Sequence, residues 1–293
     1  MPLDASVAQR NQARGILLML AAVLLFSLND VMGKWLVASY AVGQVVVLRS
    51  LTALAVLTPL AWRAQRAAGW RLARPGLQAA RVALGAAEVV VFYWVVGHMP
   101  LADTMTYWMA TPILVTGLSA LLLGERVGVR RWALILLGFA GVALALGGDF
   151  DGPAIYAVFA LGGTLLYAGY LMCSRALRQT PDAVLAWLQM AGAMVAGLAL
   201  LALGGGWRAP DAADLAMLCG LGLAAMVGHL TMTRSLKLAP ASVVVPYQYS
   251  FLLWAVVFGW LIWGDIPGVE VALGAVLIVA SGVLLLRASA SNH

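Results

Sequence analysis

Residues 100–126 read PLADTMTYWMATPILVTGLSALLLGER, and residues 240–265 read PASVVVPYQYSFLLWAVVFGWLIWGD. Each is an apolar run of membrane length. Each also begins at a proline and closes on glycine plus an acid, Gly124-Glu125 in one and Gly264-Asp265 in the other. The offset is 140 residues at both ends, from Pro100 to Pro240 and from Glu125 to Asp265. In a chain of 293 residues this spacing predicts two related halves, 1–147 and 148–293.

Composition fixes the class. The chain is 63% hydrophobic and 10% charged, whereas soluble domains carry roughly 25% charge. Runs such as 16–26 and 133–146 are apolar without a break. Strands of membrane barrels alternate in polarity instead. The sequence therefore predicts an all-α membrane protein of ten transmembrane helices, at about 15–37, 43–61, 76–97, 101–123, 129–146, 153–175, 182–204, 213–235, 240–262 and 268–286. Five spans per half is an odd number, so the second half must enter the bilayer from the opposite side. That makes the echo an inverted repeat, an arrangement in which secondary transporters place a central cavity between the repeats.

Charge sets the orientation. Arg10, Arg14, Arg63, Arg66, Arg71, Arg74, Arg126, Arg130, Arg131, Arg175, Arg178, Arg234, Lys237 and Arg287 collect on one side, while the other holds little besides Arg208 and carries Asp149, Asp151 and Asp265. The positive-inside bias then puts both termini in the cytoplasm of a bacterial-type inner membrane. The net charge of +6 is accounted for by topology and anionic lipid, without nucleic acid. Cys173 and Cys219 stand far apart in apolar runs and form no metal or disulfide pattern. The polar start up to Arg14 leads into a run too long for a signal-peptide core, so it reads as a retained first span.

Ionisable groups inside a span cost about 2.5–3.5 kcal/mol each, so those present need a reason. Asp30, Arg49 and Glu88 lie about 10, 9 and 14 Å from the outer ends of their spans at a 1.5 Å rise. They could meet in one cluster with Asn29 and Lys34. One reading is a cavity in which Arg49 holds a substrate carboxylate and Glu88 takes a proton or an amine. The other is a neutral buried charge network tying three spans together. His229, a mid-span histidine roughly in register with Glu88, is the second proton-coupling candidate. The aromatic candidates are Tyr93, Trp94, Tyr107, Trp108, Tyr167, Tyr247 and Tyr249, which pack or line a pocket for flat solutes. Trp62, Trp70, Trp207, Trp260 and Trp263 read as an interfacial belt. Pro246 and Pro112 are expected to kink their helices locally. Small residues at Gly138, Gly141 and Gly274 predict close helix contacts. The fifth and tenth spans carry little polarity and are expected at the periphery, facing lipid or a second copy. The chain has no GxxxxGK[ST] loop, no metal-ligand cluster and no nucleophile–base arrangement, so cofactors, metals and enzymatic chemistry are not expected.

These residues resemble the drug/metabolite transporter superfamily, specifically its EamA-type members. The resemblance rests on Ala102…Pro112-Ile113…Gly124-Glu125-Arg126 with Gly138…Gly141-Val142, and on Pro246-Tyr247-Gln248-Tyr249…Gly264-Asp265 with Gly274 and Gly282. Asp265 replaces the family's usual Glu, and Leu252 stands where a second proline would be expected. The resemblance implies a basket of spans one to four and six to nine around a cavity. It also implies export of small metabolites, with the aromatic interior pointing to the branch that exports aromatic amino acids. A passive channel and a membrane-embedded lipid-handling enzyme are the alternative classes.

Overall fold

The computed structural model describes residues 2–68, 74–98, 101–125, 127–146, 153–204, 206–258, 261 and 269–290. The expectations placed on Trp70, Arg71, Pro100, Arg126, Asp149, Asp151, Trp260, Trp263, Gly264 and Asp265 fall outside these residues. The regular structure among the described residues is entirely helical. Six helices are long and apolar enough to cross a membrane: 9–37 within α1 (Pro2–Val37), 42–67 within α2 (Val42–Ala68), α3 (Pro75–Val96), α7 (Ala154–Ala176), α8 (Asp182–Ala202) and α9 (Ala212–Leu238).

The two echoed stretches depart from the continuous spans expected of them. The first divides into α4 (Leu101–Trp108) and α5 (Thr111–Leu123), with Pro112 at the start of α5. A proline ring clashes with the carbonyl four residues back; here that residue is Trp108, where α4 stops. The second divides into α10 (Ala241–Val244), a tight 3₁₀ turn (Val245–Tyr249) containing Pro246, and α11 (Ser250–Phe258). The first is followed by α6 (Val129–Leu146), and the last of the described helices is α12 (Val269–Ala290).

The main helix pairings all cross the midpoint of the chain: α1 with α9, α2 with α8, α3 with α7, and α6 with α12. Small residues allow the close approaches. A Cβ on Gly141 of α6 would stand 2.8 Å from the carbonyl oxygen of Gly274 on α12, a close approach of the kind small residues permit. The outward faces of this pair, including Leu136, Leu144, Leu273 and Val276, are exposed. Helix α5 ends at Gly124, whose left-handed φ of 65° needs no Cβ, and the following Glu125 N–H returns to the Ser119 carbonyl at 3.1 Å. That turn delivers Glu125 to one end of the bundle.

Candidate functional site

A cavity lies where α1, α2, α3, α7, α8 and α9 meet the two broken spans, with about 80 Å³ of free interior space. Of the candidates named above, Asn29, Arg49, Glu88, Tyr93, Trp108, Tyr167 and His229 line it, as does Asp30. Trp94, Tyr107, Tyr247 and Tyr249 do not. Trp94 joins His98 and Phe159, at ring-centroid distances of 4.6 and 4.8 Å, in a cluster at the far end of α3. Tyr107 packs into the apolar core at that end. Tyr247 is buried in the opposite core. Tyr249 donates to the Ile135 carbonyl at 3.1 Å and faces α6.

One polar chain runs through four helices. Arg49 Nη1 donates to the Tyr93 hydroxyl at 2.6 Å, Tyr93 donates to Asn29 Oδ1 at 3.0 Å, and Asn29 Nδ2 donates to the Leu221 carbonyl at 2.9 Å. The guanidinium also lies 5.3 Å from the centre of the Tyr93 ring. Arg49 is 3% exposed, and its Nε has no hydrogen-bond partner among the described residues. Asp30 and Glu88 share the cavity, yet Arg49 forms no ion pair among the described residues. A buried unpaired cation is costly and suits an incoming anion. Glu88 instead accepts from Trp108 Nε1 at 2.9 Å. Gln189 Oε1 is a further buried acceptor without a partner among the described residues.

Arg81 stands outside the residues that the sequence marks out. It is fully buried and donates to Ser174 Oγ (2.7 Å), the Leu185 carbonyl (2.9 Å) and the Tyr170 hydroxyl (2.8 Å). The Tyr170 hydroxyl lies 3.0 Å from Nδ1 of His229. A guanidinium can only donate, so the hydroxyl accepts from Arg81 and is free to donate to Nδ1. His229 is thereby held through Nδ1, and Phe26 packs edge-on against its ring at 5.1 Å. Gln248 of the second break donates to Tyr167 at 2.8 Å.

A latch closes one end. Glu125 accepts from the Ala241 N–H (3.2 Å), the Ser242 N–H (3.1 Å) and the Ser242 hydroxyl (2.8 Å), and pairs with Arg175 at 3.4 Å. The end of one echoed stretch thus holds the start of the other. Nearby, Asp182 pairs with Lys237 at 2.5 Å and with Arg234 at 3.7 Å. Burial pushes the Glu125 carboxyl up, but the Ser242 and Ala241 donors and Arg175 outweigh it and hold the group below its ordinary range. A carboxyl depressed in the folded state stabilises above its unfolded pKa, and that contribution fades as pH falls through the folded value. Glu125→Ala is therefore expected to cost about 1–2 kcal/mol at neutral pH. The difference from the parent protein should shrink below about pH 4. Thermal unfolding in detergent at the two pH values measures it, and a cost independent of pH would remove the carboxylate from the latch.

Helices long and apolar enough to cross a membrane surround this cavity, the build of a multi-pass membrane protein. The chain belongs to the EamA-like transporter family, which it matches over residues 13–147 and 154–287. It is 26% identical to the pseudopaline exporter of Pseudomonas aeruginosa over 283 residues, covering 93% of this chain and 96% of that one. It is 29% identical to a riboflavin transporter of Rhizobium johnstonii, covering 93% and 91% of the two chains. It is 21% identical to an S-adenosylmethionine uptake transporter of Rickettsia prowazekii, covering 98% of each. A solved crystal structure superposes with a TM-score of 0.80 over 94% of this chain and 97% of that one, at 19% identity.

Proposed function

We propose that the protein is a secondary transporter that exports a small amphoteric metabolite across the bacterial inner membrane, in the class of aromatic or apolar amino acids. The observation that carries this reading is Arg49, an unpaired buried guanidinium in a cavity that also holds carboxylates. A substrate carboxylate would meet Arg49, an amine would meet Glu88 or Asp30, and the apolar body would lie against Phe26, Trp108 and Tyr167. Named relatives carry other cargo, so the substrate class rests on the lining alone.

Alternating access between two inverted five-helix repeats, 1–147 and 148–293, is the mechanism the geometry supports. Exchanging each span for its counterpart five places on turns the pairing of α1 with α9 into that of α3 with α7, and leaves the other two main pairings unchanged. Both broken spans present residues to the cavity, Trp108 and Met109 from one and Gln248 and Phe251 from the other. Ligand pockets usually exceed about 300 Å³, so loading requires these broken spans to part. With both termini in the cytoplasm, the Glu125 latch closes the cytoplasmic side. The bare face of α6 and α12 is where a second copy or lipid would sit.

Counterflow in proteoliposomes tests the proposal. Unlabelled phenylalanine or tryptophan inside should accelerate saturable uptake of the labelled amino acid. Linear, unsaturable flux would make it a channel, and trans-stimulation only by compounds without a carboxylate would overturn the substrate class. Glu88→Gln is expected to flatten the dependence of this flux on an imposed pH gradient while exchange continues. Unaltered gradient dependence would move coupling away from Glu88, with His229 the next candidate.

A further inference from the structure

A second cavity, with about 340 Å³ of free space, opens at the Glu125 end between the start of α3, the end of α5 and the end of α7. Its lining includes Arg74, Arg175, Arg178, Glu125, Thr180 and Leu123. Three guanidinium groups against one carboxylate leave an excess of two positive charges. The carboxylate is itself committed to Ser242, Ala241 and Arg175. Arg74 and Arg178 are exposed and make no ion pair among the described residues. Arg74 also holds a left-handed φ of 51°, and its side chain does not cap α3. Residues with a Cβ adopt that conformation at a cost, and here it places a guanidinium at the rim of the cavity.

The floor is fixed and one wall is apolar. Thr180 Oγ1 accepts from Gln78 Nε2 at 2.9 Å, and the Thr180 carbonyl accepts from Lys237 Nζ. Leu123 continues into Leu122 and Leu121, which are 69% and 82% exposed on α5. Exposed leucines on a membrane helix face acyl chains, and basic pockets at the membrane edge suit acidic headgroups. We propose that this cavity binds the phosphate of an anionic phospholipid, held by Arg74, Arg175 and Arg178, with the acyl chains passing Leu123 at the cavity wall and reaching the exposed Leu122 beside it. Arg175 is shared between the phosphate and Glu125, so an occupied site bears directly on the latch. Access from the acidic inner leaflet rests on the orientation proposed above. A soluble phosphate would use the arginines and leave the leucines bare, which distinguishes the two sources.

The test uses the full-length protein in neutral detergent, titrated separately with phosphatidylglycerol, phosphatidylcholine and inorganic phosphate. Binding is read by native mass spectrometry and by thermal unfolding. Phosphatidylglycerol should bind and raise the unfolding temperature, and phosphatidylcholine should not. Arg74→Gln with Arg178→Gln should weaken phosphatidylglycerol about thirtyfold, roughly fivefold for each arginine. Leu122→Ser should weaken the lipid without changing any effect of inorganic phosphate. Equal binding of phosphatidylcholine, or full binding by the arginine variant, overturns the site. Equal stabilisation by inorganic phosphate assigns it to a soluble anion and overturns the lipid. Failure of the transport reading is separable, because counterflow in phosphatidylcholine liposomes does not require this cavity. Labelling of Arg178→Cys only from outside intact cells would reverse the orientation while leaving the detergent result in place.

Discussion

Arg49→Met is expected to reduce saturable transport by roughly 10- to 150-fold, the loss of about 1.5–3 kcal/mol for a hydrogen bond to a charged group. The fold should survive. Tyr93 still donates to Asn29 at 3.0 Å, and Asn29 still donates to Leu221 at 2.9 Å, so the chain through α3, α1 and α9 stays closed without the guanidinium. Methionine fills the space of the arginine stem and relieves the cost of an unpaired buried charge. The variant should therefore be present in the membrane at normal levels and at least as heat-stable in detergent. Arg49→Lys should fall between, because an ammonium keeps the charge but loses the fork that meets a carboxylate at two points. The split between half-saturation and maximal rate is informative, since a lost substrate contact raises the first. A variant that transports normally but unfolds early would reassign Arg49 to structure.

Gly222→Val is expected to abolish transport and to destabilise the protein by about 1–3 kcal/mol or more. A Cβ on Gly222 would stand 2.3 Å from the carbonyl oxygen of Arg49 and 3.0 Å from Cβ of Thr52. The obstacle is backbone, which cannot swing aside, so α9 and α2 must separate and Arg49 must move with them. Even Gly222→Ala should destabilise, although alanine is the better helix former by about 1 kcal/mol. Gly220→Ala, two residues earlier on the same helix, supplies the control. Its nearest neighbour would be Met32 Sδ at 4.0 Å, so propensity alone should act and the change should be neutral or slightly stabilising. Equal behaviour of the two alanine variants would show that the α2–α9 approach does not constrain the site.

The class of fold and much of the cavity were legible from the chain itself. Apolar length marked the spans and burial cost marked Asp30, Arg49 and Glu88, while Pro112 and Pro246 announced a kink that the structure turns into a full break. The aromatic candidates divided because depth in a span can be read from residue number while direction around the helix cannot. Tyr93 and Trp94 are neighbours at the same depth, yet successive helical residues point about 100° apart, so one enters the cavity and the other the end cluster. Tyr107 and Trp108 part in the same way. Arg81 escaped for a different reason. It lies about 9 Å into its span from Pro75, close enough to the interface for a long side chain to be assigned to the headgroups. Its ligands, Ser174, Tyr170 and Leu185, are all about ninety residues or more away in sequence, and no local pattern announces them.

That distance has a consequence for biogenesis. The helices emerge from the ribosome in order, and Arg81 must enter the bilayer before any of its three partners has been made. Arg49 is better placed, because Asn29 and Tyr93 arrive within the same half. Until α7 and α8 are synthesised, α3 carries a charge that would cost about 2.5–3.5 kcal/mol at the centre of a span and less near its edge. The nascent first half must then linger beside the insertion machinery or keep Arg81 at the membrane edge. Release into lipid should follow the arrival of Tyr170 and Leu185, making the second half the assembly partner on which the first depends.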